Sequence, residues 1–264
     1  MKGFAKYLIA GLIFILIGAI ILVIGLGMSG WQLNPDYTNK IWTQEDGDIT
    51  HLKVEFGAGE FKTVIYDGDK IEIEYQTSDV YQVKINQNAG KLTVETSNKW
   101  SFGFAFMFKS PKMTLKIPKN MNLQIFDFDM KAGMATLAGG EFGIVNIEIS
   151  AGTLNFKNDL ICDKLNLDMK AGSLITSNII TRDFKLDVSA GSANIGELNC
   201  SNTSIGVSAG SVQIRMSGFE NDYNITVNKS AGSCNLTTHH YSPDNKTLDI
   251  DISAGSVHVN FTNR

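Results

Sequence analysis

The stretch MKAGMATL, residues 130–137, is the first of seven similar segments, each built around the dipeptide Ala-Gly. The other six are ISAGTLNF, MKAGSLIT, VSAGSANI, VSAGSVQI, KSAGSCNL and ISAGSVHV. Their glycines are spaced 19, 20, 19, 19, 22 and 23 residues apart. A repeat of this length indicates a solenoid, in which each repeat forms one coil of the chain. The glycines are Gly133, Gly152, Gly172, Gly191, Gly210, Gly232 and Gly255.

Apolar residues alternate on both sides of each glycine. In the fourth repeat Leu186, Val188 and Ala190 precede it, and Ala193 and Ile195 follow it. A period of two predicts β-strands, and the alternation shifts by one residue at the glycine. The shift indicates a corner between two strands, where a residue without Cβ takes positive φ at little cost.

A coil of about 20 residues is too short for a βαβ unit, so successive coils are expected to stack as parallel strands about 4.8 Å apart. The sequence predicts an all-β fold: a parallel β-helix-like solenoid with 19–23 residues per coil, preceded by one transmembrane α-helix. The earlier segment Gly57-Ala58-Gly59 repeats the corner pattern, which adds Gly59 to the predicted structural corners.

The N-terminal segment is strongly apolar. Residues 7–28 carry no charge, and 22 residues of helix would be about 33 Å long, enough to cross a bilayer. Lys2 and Lys6 precede this segment and acidic residues follow it, which predicts a cytoplasmic N-terminus and an extracellular C-terminal domain. We therefore expect a single-pass protein of the cell membrane. A cleaved signal peptide is the alternative, although no A-x-A cleavage pattern follows.

The chain divides into four predicted segments. Residues 1–28 form a cytoplasmic stub and the anchor, and residues 29–48 form a polar juxtamembrane linker. Residues 49–118 form an N-terminal β region and cap, and residues 119–264 form the β-helix repeats. A cap is expected because the first coil of a solenoid would otherwise expose its core.

An aromatic run stands out within the predicted cap. Trp100 begins it, and Phe102, Phe104, Phe106 and Phe108 lie along one face of a predicted strand. The other face is not clearly polar either. One interpretation is an exposed flap that contacts lipid or a protein partner. The other, which we favour, is a cap strand buried against the first coils.

Counting back three residues from each corner alanine gives a largely acidic column. Carboxylates stacked about 4.8 Å apart repel each other only weakly in water. The column could bind divalent cations or a cationic polymer, but an ordinary solvated face is the favoured interpretation. Its members are Asp129, Glu148, Asp168, Asp187, Gly206, Asn228 and Asp251.

Two further columns follow the corners. A hydroxyl stands two residues after most of the alanines, and an amide stands four residues after several of them, where amides could bond from coil to coil. No His or acid accompanies the hydroxyls at fixed spacing, so we interpret them as structural rather than nucleophilic. The amides are Asn155, Asn194, Gln213 and Asn235.

The three cysteines are Cys162, Cys200 and Cys234. Cys162 and Cys200 are two coils apart, which is too far for a disulfide, and Cys234 occupies a core position. We therefore expect all three to pack in the core. A loop with His239, His240 and Asp244 supplies too few convergent ligands for a metal site to be favoured.

The last strand has no obvious cap after it. Its apolar positions are Val257, Val259 and Phe261. An exposed strand edge can pair with another strand, so we expect self-association through the solenoid ends.

The composition and motifs of the chain argue against several classes of function. The net charge of −4 and the pI near 5.6 argue against nucleic acid, because no basic stripe interleaves with aromatics. The sequence contains no phosphate-binding glycine loop, zinc spacing or calcium loop. We therefore predict no cofactor, no metal and no catalytic residues.

Three features together resemble a known family: the early VEFGAGEFKTVI segment, the TLKIPKNMNL segment and the tandem SAGS corners, all after an N-terminal anchor. They resemble the bacterial putative adhesin family, a domain of unknown function with β-strand repeats. The resemblance implies a membrane-anchored β-repeat domain without established catalytic residues. It also implies an association with cell-envelope stress responses in some relatives.

Three functional hypotheses follow. The first is a non-enzymatic, membrane-tethered envelope protein whose solenoid binds or scaffolds an envelope protein or a cell-wall polymer. The second is an accessory or sensory subunit of an envelope-stress response that signals through its single span. The third and least favoured is a carbohydrate-active β-helix enzyme, which would need an acid and base cluster in a cleft.

Overall fold

The computed structural model describes residues 36–98, 110–241 and 246–263, together with positions 18, 20 and 23. Within that part of the chain no helix has the length and apolar character needed to cross a membrane. Apart from the three isolated positions, the predicted span at residues 7–28 lies outside the described residues, and so does the aromatic run from Trp100 to Phe108.

The fold is all-β, as predicted, and its elements join into one 14-stranded sheet system. A short 3₁₀ turn, Glu220–Asp222, precedes β11. The strands are β1 (Thr38–Thr43), β2 (His51–Tyr66), β3 (Glu72–Thr77), β4 (Tyr81–Asn88), β5 (Lys91–Asn98), β6 (Lys112–Pro118), β7 (Leu123–Leu137), β8 (Gly140–Ile149), β9 (Gly152–Phe156), β10 (Leu160–Met216), β11 (Tyr223–Lys229), β12 (Ser233–Cys234), β13 (Lys246–Ile252) and β14 (Ser256–Phe261).

The corner glycines stack directly on one another. Gly133 lies in register with Gly59, and Gly172 with Gly152, in parallel strands. A Cβ on Gly172 would collide with the backbone of Gly152, so the coils approach too closely for any side chain at this column. The predicted positive φ is found at five corners: Gly59, Gly133, Gly152, Gly172 and Gly191.

The last three corners depart from that prediction, because Gly210, Gly232 and Gly255 do not adopt positive φ. Close packing still requires glycine there: a Cβ on Gly210 would lie 2.7 Å from the carbonyl oxygen of Gly191. The corner alanines also differ from expectation. Ala190 continues the alternation of Leu186 and Val188, which predicts that it faces inward, but Ala190 is exposed whereas Val188 is buried.

Alternating apolar side chains fill the interior of the coils. Leu165, Leu167 and Met169 are buried before one corner, and Leu174 is buried after it. These residues belong to one continuous core that runs from Ile49 to Val259. The strand alternation seen in the sequence therefore gives the inside and outside of each coil.

Antiparallel strands close the N-terminal end. β5 lies parallel to β2 and carries β4 as an antiparallel partner, while β6 lies parallel to β2 and carries β3 and then β1. β1 falls within residues 29–48, for which the sequence predicts a linker. It forms a strand because Trp42 packs against the core beside Ile73. The remaining linker is correspondingly shorter.

The spatial order of the coils differs from their order in the sequence at the C-terminal end. β13 pairs with residues 202–207 of β10 on one side and with β11 on the other. β14 likewise pairs with residues 211–216 and with β12. The C-terminal coil is therefore inserted between two coils that precede it in the chain. From one end to the other the corners run Gly59, Gly133, Gly152, Gly172, Gly191, Gly210, Gly255 and Gly232.

Lys229 explains why the coil that contains β11 is outermost. It shares an inward column with Val207 and Ile252, which are buried, whereas Lys229 is exposed. A charged side chain cannot occupy this column inside the stack without an uncompensated loss of hydration. The predicted open edge is therefore wrong at Val257, which pairs with Cys234 of the outermost coil, and at Val259, whose backbone bonds with Asn235.

The chain itself covers the outer edge of β11. The N–H of Ile225 donates to the carbonyl of His239 at 2.8 Å, and the N–H of His239 donates back to the carbonyl of Ile225 at 3.0 Å. The Thr238 hydroxyl accepts from the N–H of Val227 at 2.9 Å. The described part of the loop that was considered as a weak metal site therefore caps the C-terminal end, where the imidazole of His239 packs edge-on against Tyr241. Asp244, the third residue of that predicted site, lies outside the described residues.

Candidate functional surface

The outward side of the strand segments that precede the corners forms a surface that we call the charged face. Asp129, Glu148 and Asp168 lie in register on adjacent strands of this face, as the acidic column predicts. Asp187 is the next member of the column along the chain, and its carboxylate lies 2.5 Å from the position that a Cβ on Gly206 would take. Further along, Gly206, Asp251 and Asn228 are aligned.

The acidic column extends further toward the N-terminal end than the repeat count suggested. Glu55 is in register with Asp129, and Glu95 of β5 is in register with Glu55. The sequence contained the signal for Glu55, since it stands three residues before Ala58 in VEFGAGEF.

Lysines alternate with these acids. Lys53 Nζ lies 2.5 Å from Glu55 Oε1, and Lys185 Nζ lies 2.9 Å from Asp187 Oδ2. Lys170 pairs with Glu148. The hydrogen bond from Lys53 lowers the pKa of the Glu55 carboxyl. The face is therefore a mixture of both charges rather than a uniformly negative surface.

Asp129 differs from its neighbours. Partial burial raises the pKa of its carboxyl, and the adjacent charge of Glu148 raises it further. In the part of the chain that the structure describes, neither Asp129 nor Asp168 has an ion-pair partner within 4 Å. These two carboxylates are therefore free of an internal ion pair and can accept an external cationic group.

A ladder of hydrogen bonds lies beside the acidic column. Asn166 Nδ2 donates to Asn146 Oδ1 at 2.7 Å, and Asn146 Nδ2 donates to Asp127 Oδ1 at 2.8 Å. The other carboxylate oxygen of Asp127 lies 2.8 Å from His51 Nε2. Nothing in the sequence alone shows this ladder except the spacing of Asp127, Asn146 and Asn166 by one repeat.

The amide column that was predicted after the corners is not continuous. Ile175 occupies it beside Asn155, so the amides do not stack from coil to coil there. At the outermost coil, Asn235 bonds instead with the backbone of Val259. The amide column therefore contributes hydrogen bonds at the end of the stack and not continuously along it.

The thiols are not placed for chemistry. Cys162 and Cys200 are buried, Cys234 is partly buried, and all three are free. Burial raises the pKa of the Cys162 thiol to about 11 and also raises that of Cys200, so both stay protonated at neutral pH. Among residues 36–98, 110–241 and 246–263, no three His, Cys, Asp or Glu side chains are grouped to hold a metal ion.

Comparisons with known proteins agree with this architecture. The sequence profile of the family described as Toastrack DUF4097 matches residues 42–264. A putative adhesin from Parabacteroides distasonis has a similar structure, with a TM-score of 0.51 and 14% identity over 86% of this chain and 99% of that one. A putative adhesin from Parabacteroides merdae gives a TM-score of 0.45 and 14% identity over 86% and 98%. No functionally curated sequence matches the chain.

Proposed function

Because this chain belongs to the Toastrack DUF4097 family, we propose that it is a non-enzymatic, membrane-anchored β-solenoid whose charged face binds or scaffolds a partner at the cell envelope. The description of the Parabacteroides distasonis neighbour as a putative adhesin is compatible with this role. The observation that carries the proposal is the repeated alignment of charged side chains, strand after strand, on one open face.

The proposed anchor places the solenoid close to the lipid. Nine residues, 29–37, separate the end of the predicted span from β1. A flexible segment of that length spans about 15–18 Å on average. The N-terminal cap is then next to the membrane, and the charged face extends away from it toward the cell wall.

The proposed ligand is an extended cell-wall polymer that carries amino groups. The carboxylates of Asp129 and Asp168 stand two strands apart on the acidic column, a spacing of about 9.6 Å. Glu148 lies between them and is paired with Lys170, which limits the net charge, so we expect a ligand with spaced cationic groups rather than a dense polycation. Binding of this kind should weaken with salt.

The arrangement of the acids supports binding over glycoside hydrolysis. A glycosidase places two carboxyl groups on opposite sides of the scissile bond. Here the carboxylates of Glu55, Asp129, Glu148 and Asp168 follow one another on adjacent strands of the same open face.

The proposal can be tested with the full chain in nanodiscs and purified cell-wall sacculi, using co-sedimentation. The double variant Asp129→Asn with Asp168→Asn should reduce the bound fraction several-fold. The matched control Glu141→Gln with Asp159→Asn makes the same charge change on exposed positions away from this face. Equal binding by both variants would overturn the proposal. Capture of a partner through residues 1–6 alone would favour the signalling hypothesis instead.

A further inference from the structure

The strand edges at the two ends of the solenoid differ in what covers them. At the C-terminal end, residues of the chain itself bond the strand edges at Ile225 and Val259. At the other end β1 pairs only with β3, and no other strand among the described residues contacts its outer edge. The backbone groups on that edge of β1 are therefore available to another strand.

The side chains of β1 fit such a role. Ile41 is 70% exposed, the largest exposed fraction of any large apolar residue in the described chain. It lies on the outward side of the sheet, opposite Glu74 of β3, while Trp42 points to the core. The strand contains no proline, glycine or bulge that would prevent pairing, and Lys40 is its single charge.

We propose that β1 pairs with β1 of a second copy of this chain, antiparallel and across a two-fold axis. The occupant is a second copy because the linker before β1 is short. Given the membrane anchor of the proposed function, β1 of every copy is held at a similar height above the lipid. Confinement to one plane raises the local concentration of matching edges, which suits an interface of only six residues a side.

The register of this pairing follows from the side chains. When a two-fold axis perpendicular to the sheet relates the strands, opposed residues must point to the same side, so the axis passes through a residue. An axis through Lys40 would oppose two like charges. An axis through Ile41 opposes the two exposed Ile41 side chains, places Lys40 opposite Trp42 of the second copy, and pairs Asn39 with Thr43. Both registers use five of the six residues, so the side chains decide between them.

Disulfide cross-linking of the full-length chain in native membranes tests the pairing. The background carries Cys234→Ala, since the other two thiols are buried. Ile41→Cys should give a covalent dimer on mild oxidation, because directly opposed residues lie within disulfide range. Thr43→Cys should give at least about tenfold less, because each copy of residue 43 would face residue 39. Asn39→Cys mixed with Thr43→Cys should give the heterodimer.

Three outcomes would overturn the inference. The first is no dimer at residue 41, which would mean that another part of the chain or another protein covers the edge. The second is equal cross-linking at residues 41 and 43, which would indicate random collision. The third is cross-linking in dilute detergent as strong as in the membrane, which would contradict the dependence on the tether. None of these outcomes bears on polymer binding by the charged face.

Discussion

The side-chain amide of Asn235 bonds both backbone groups of Val259 on the neighbouring coil. Asn235 Nδ2 donates to the Val259 carbonyl at 2.7 Å, and Asn235 Oδ1 accepts from the Val259 N–H at 2.8 Å. The amide thus replaces the next residue of β12, which ends at Cys234. One side chain satisfies a strand edge that would otherwise lack partners where the outermost coil turns away.

Asn235→Ala should destabilise the protein by about 1–3 kcal/mol, because two hydrogen bonds are lost and two backbone groups at a strand edge are left without partners. For a chain of this size that is a fall in Tm of several degrees, measurable by circular dichroism. Asn194→Ala is the control, since Asn194 occupies the same column on an interior coil and is exposed. Equal effects of the two variants would contradict the capping role.

Gly191→Ala should lower the free energy of unfolding by about 3 kcal/mol or more. Alanine would have to adopt positive φ at this position, and its Cβ would also collide with the backbone of Gly172. Gly47→Ala separates these two effects. Gly47 has a similar φ of 116°, but the nearest atom to its Cβ would be 4.0 Å away. Thermal unfolding should show a clearly smaller loss for Gly47→Ala. Similar losses would mean that backbone strain, and not coil contact, requires glycine.

Ile252→Lys should prevent insertion of the C-terminal coil, at a cost above about 3 kcal/mol, because it buries an unpaired charge. Lys229→Ile exchanges the same residue types one coil further out and should be nearly neutral, since Lys229 is exposed. Hydrogen exchange at β13 and β14 reports the result directly. Equal protection in the two variants would contradict the proposed reason for the coil order.

Cys162 should make stability depend on pH in the alkaline range. Its pKa rises from 9.0 to about 11 on burial. Between these values the unfolded chain loses the proton and the folded chain keeps it, so the free energy of unfolding falls as the pH rises. Cys162→Ala removes the thiol and should flatten this part of the slope in urea titrations at pH 9–11. An unchanged slope would show that the thiol is not responsible.

Much of the architecture could be read from the spacing of the glycines, because coils that touch at one column allow no side chain there. The inside and outside of the strands followed from alternation at residues such as Val188 and Ile195. The same alternation predicts that Ala190 faces inward. The corner turns it outward, a change of phase that local pattern alone does not give.

The coil order was harder to predict. Thr247 and Asn224 both align with Asn202, and each lies nine residues before the serine of its corner segment, so either coil fits the same place in the stack. Only Lys229, in a column that is otherwise apolar, distinguishes them. The ladder through Asn146 and Asn166 could not be predicted for a different reason. Repeated polar residues indicate a column, but they do not show which groups their amides bond.

Disulfide trapping of the coil order tests the central claim most directly. In a background with Cys234→Ala, the account predicts rapid bridging for Ser211→Cys with Ser256→Cys and for Ser256→Cys with Ser233→Cys, since both pairs lie on adjacent strands. Ser211→Cys with Ser233→Cys should not bridge, because one strand separates them by about 9.6 Å. Bridging of residues 211 and 233, without bridging of 211 and 256, would contradict the inserted C-terminal coil.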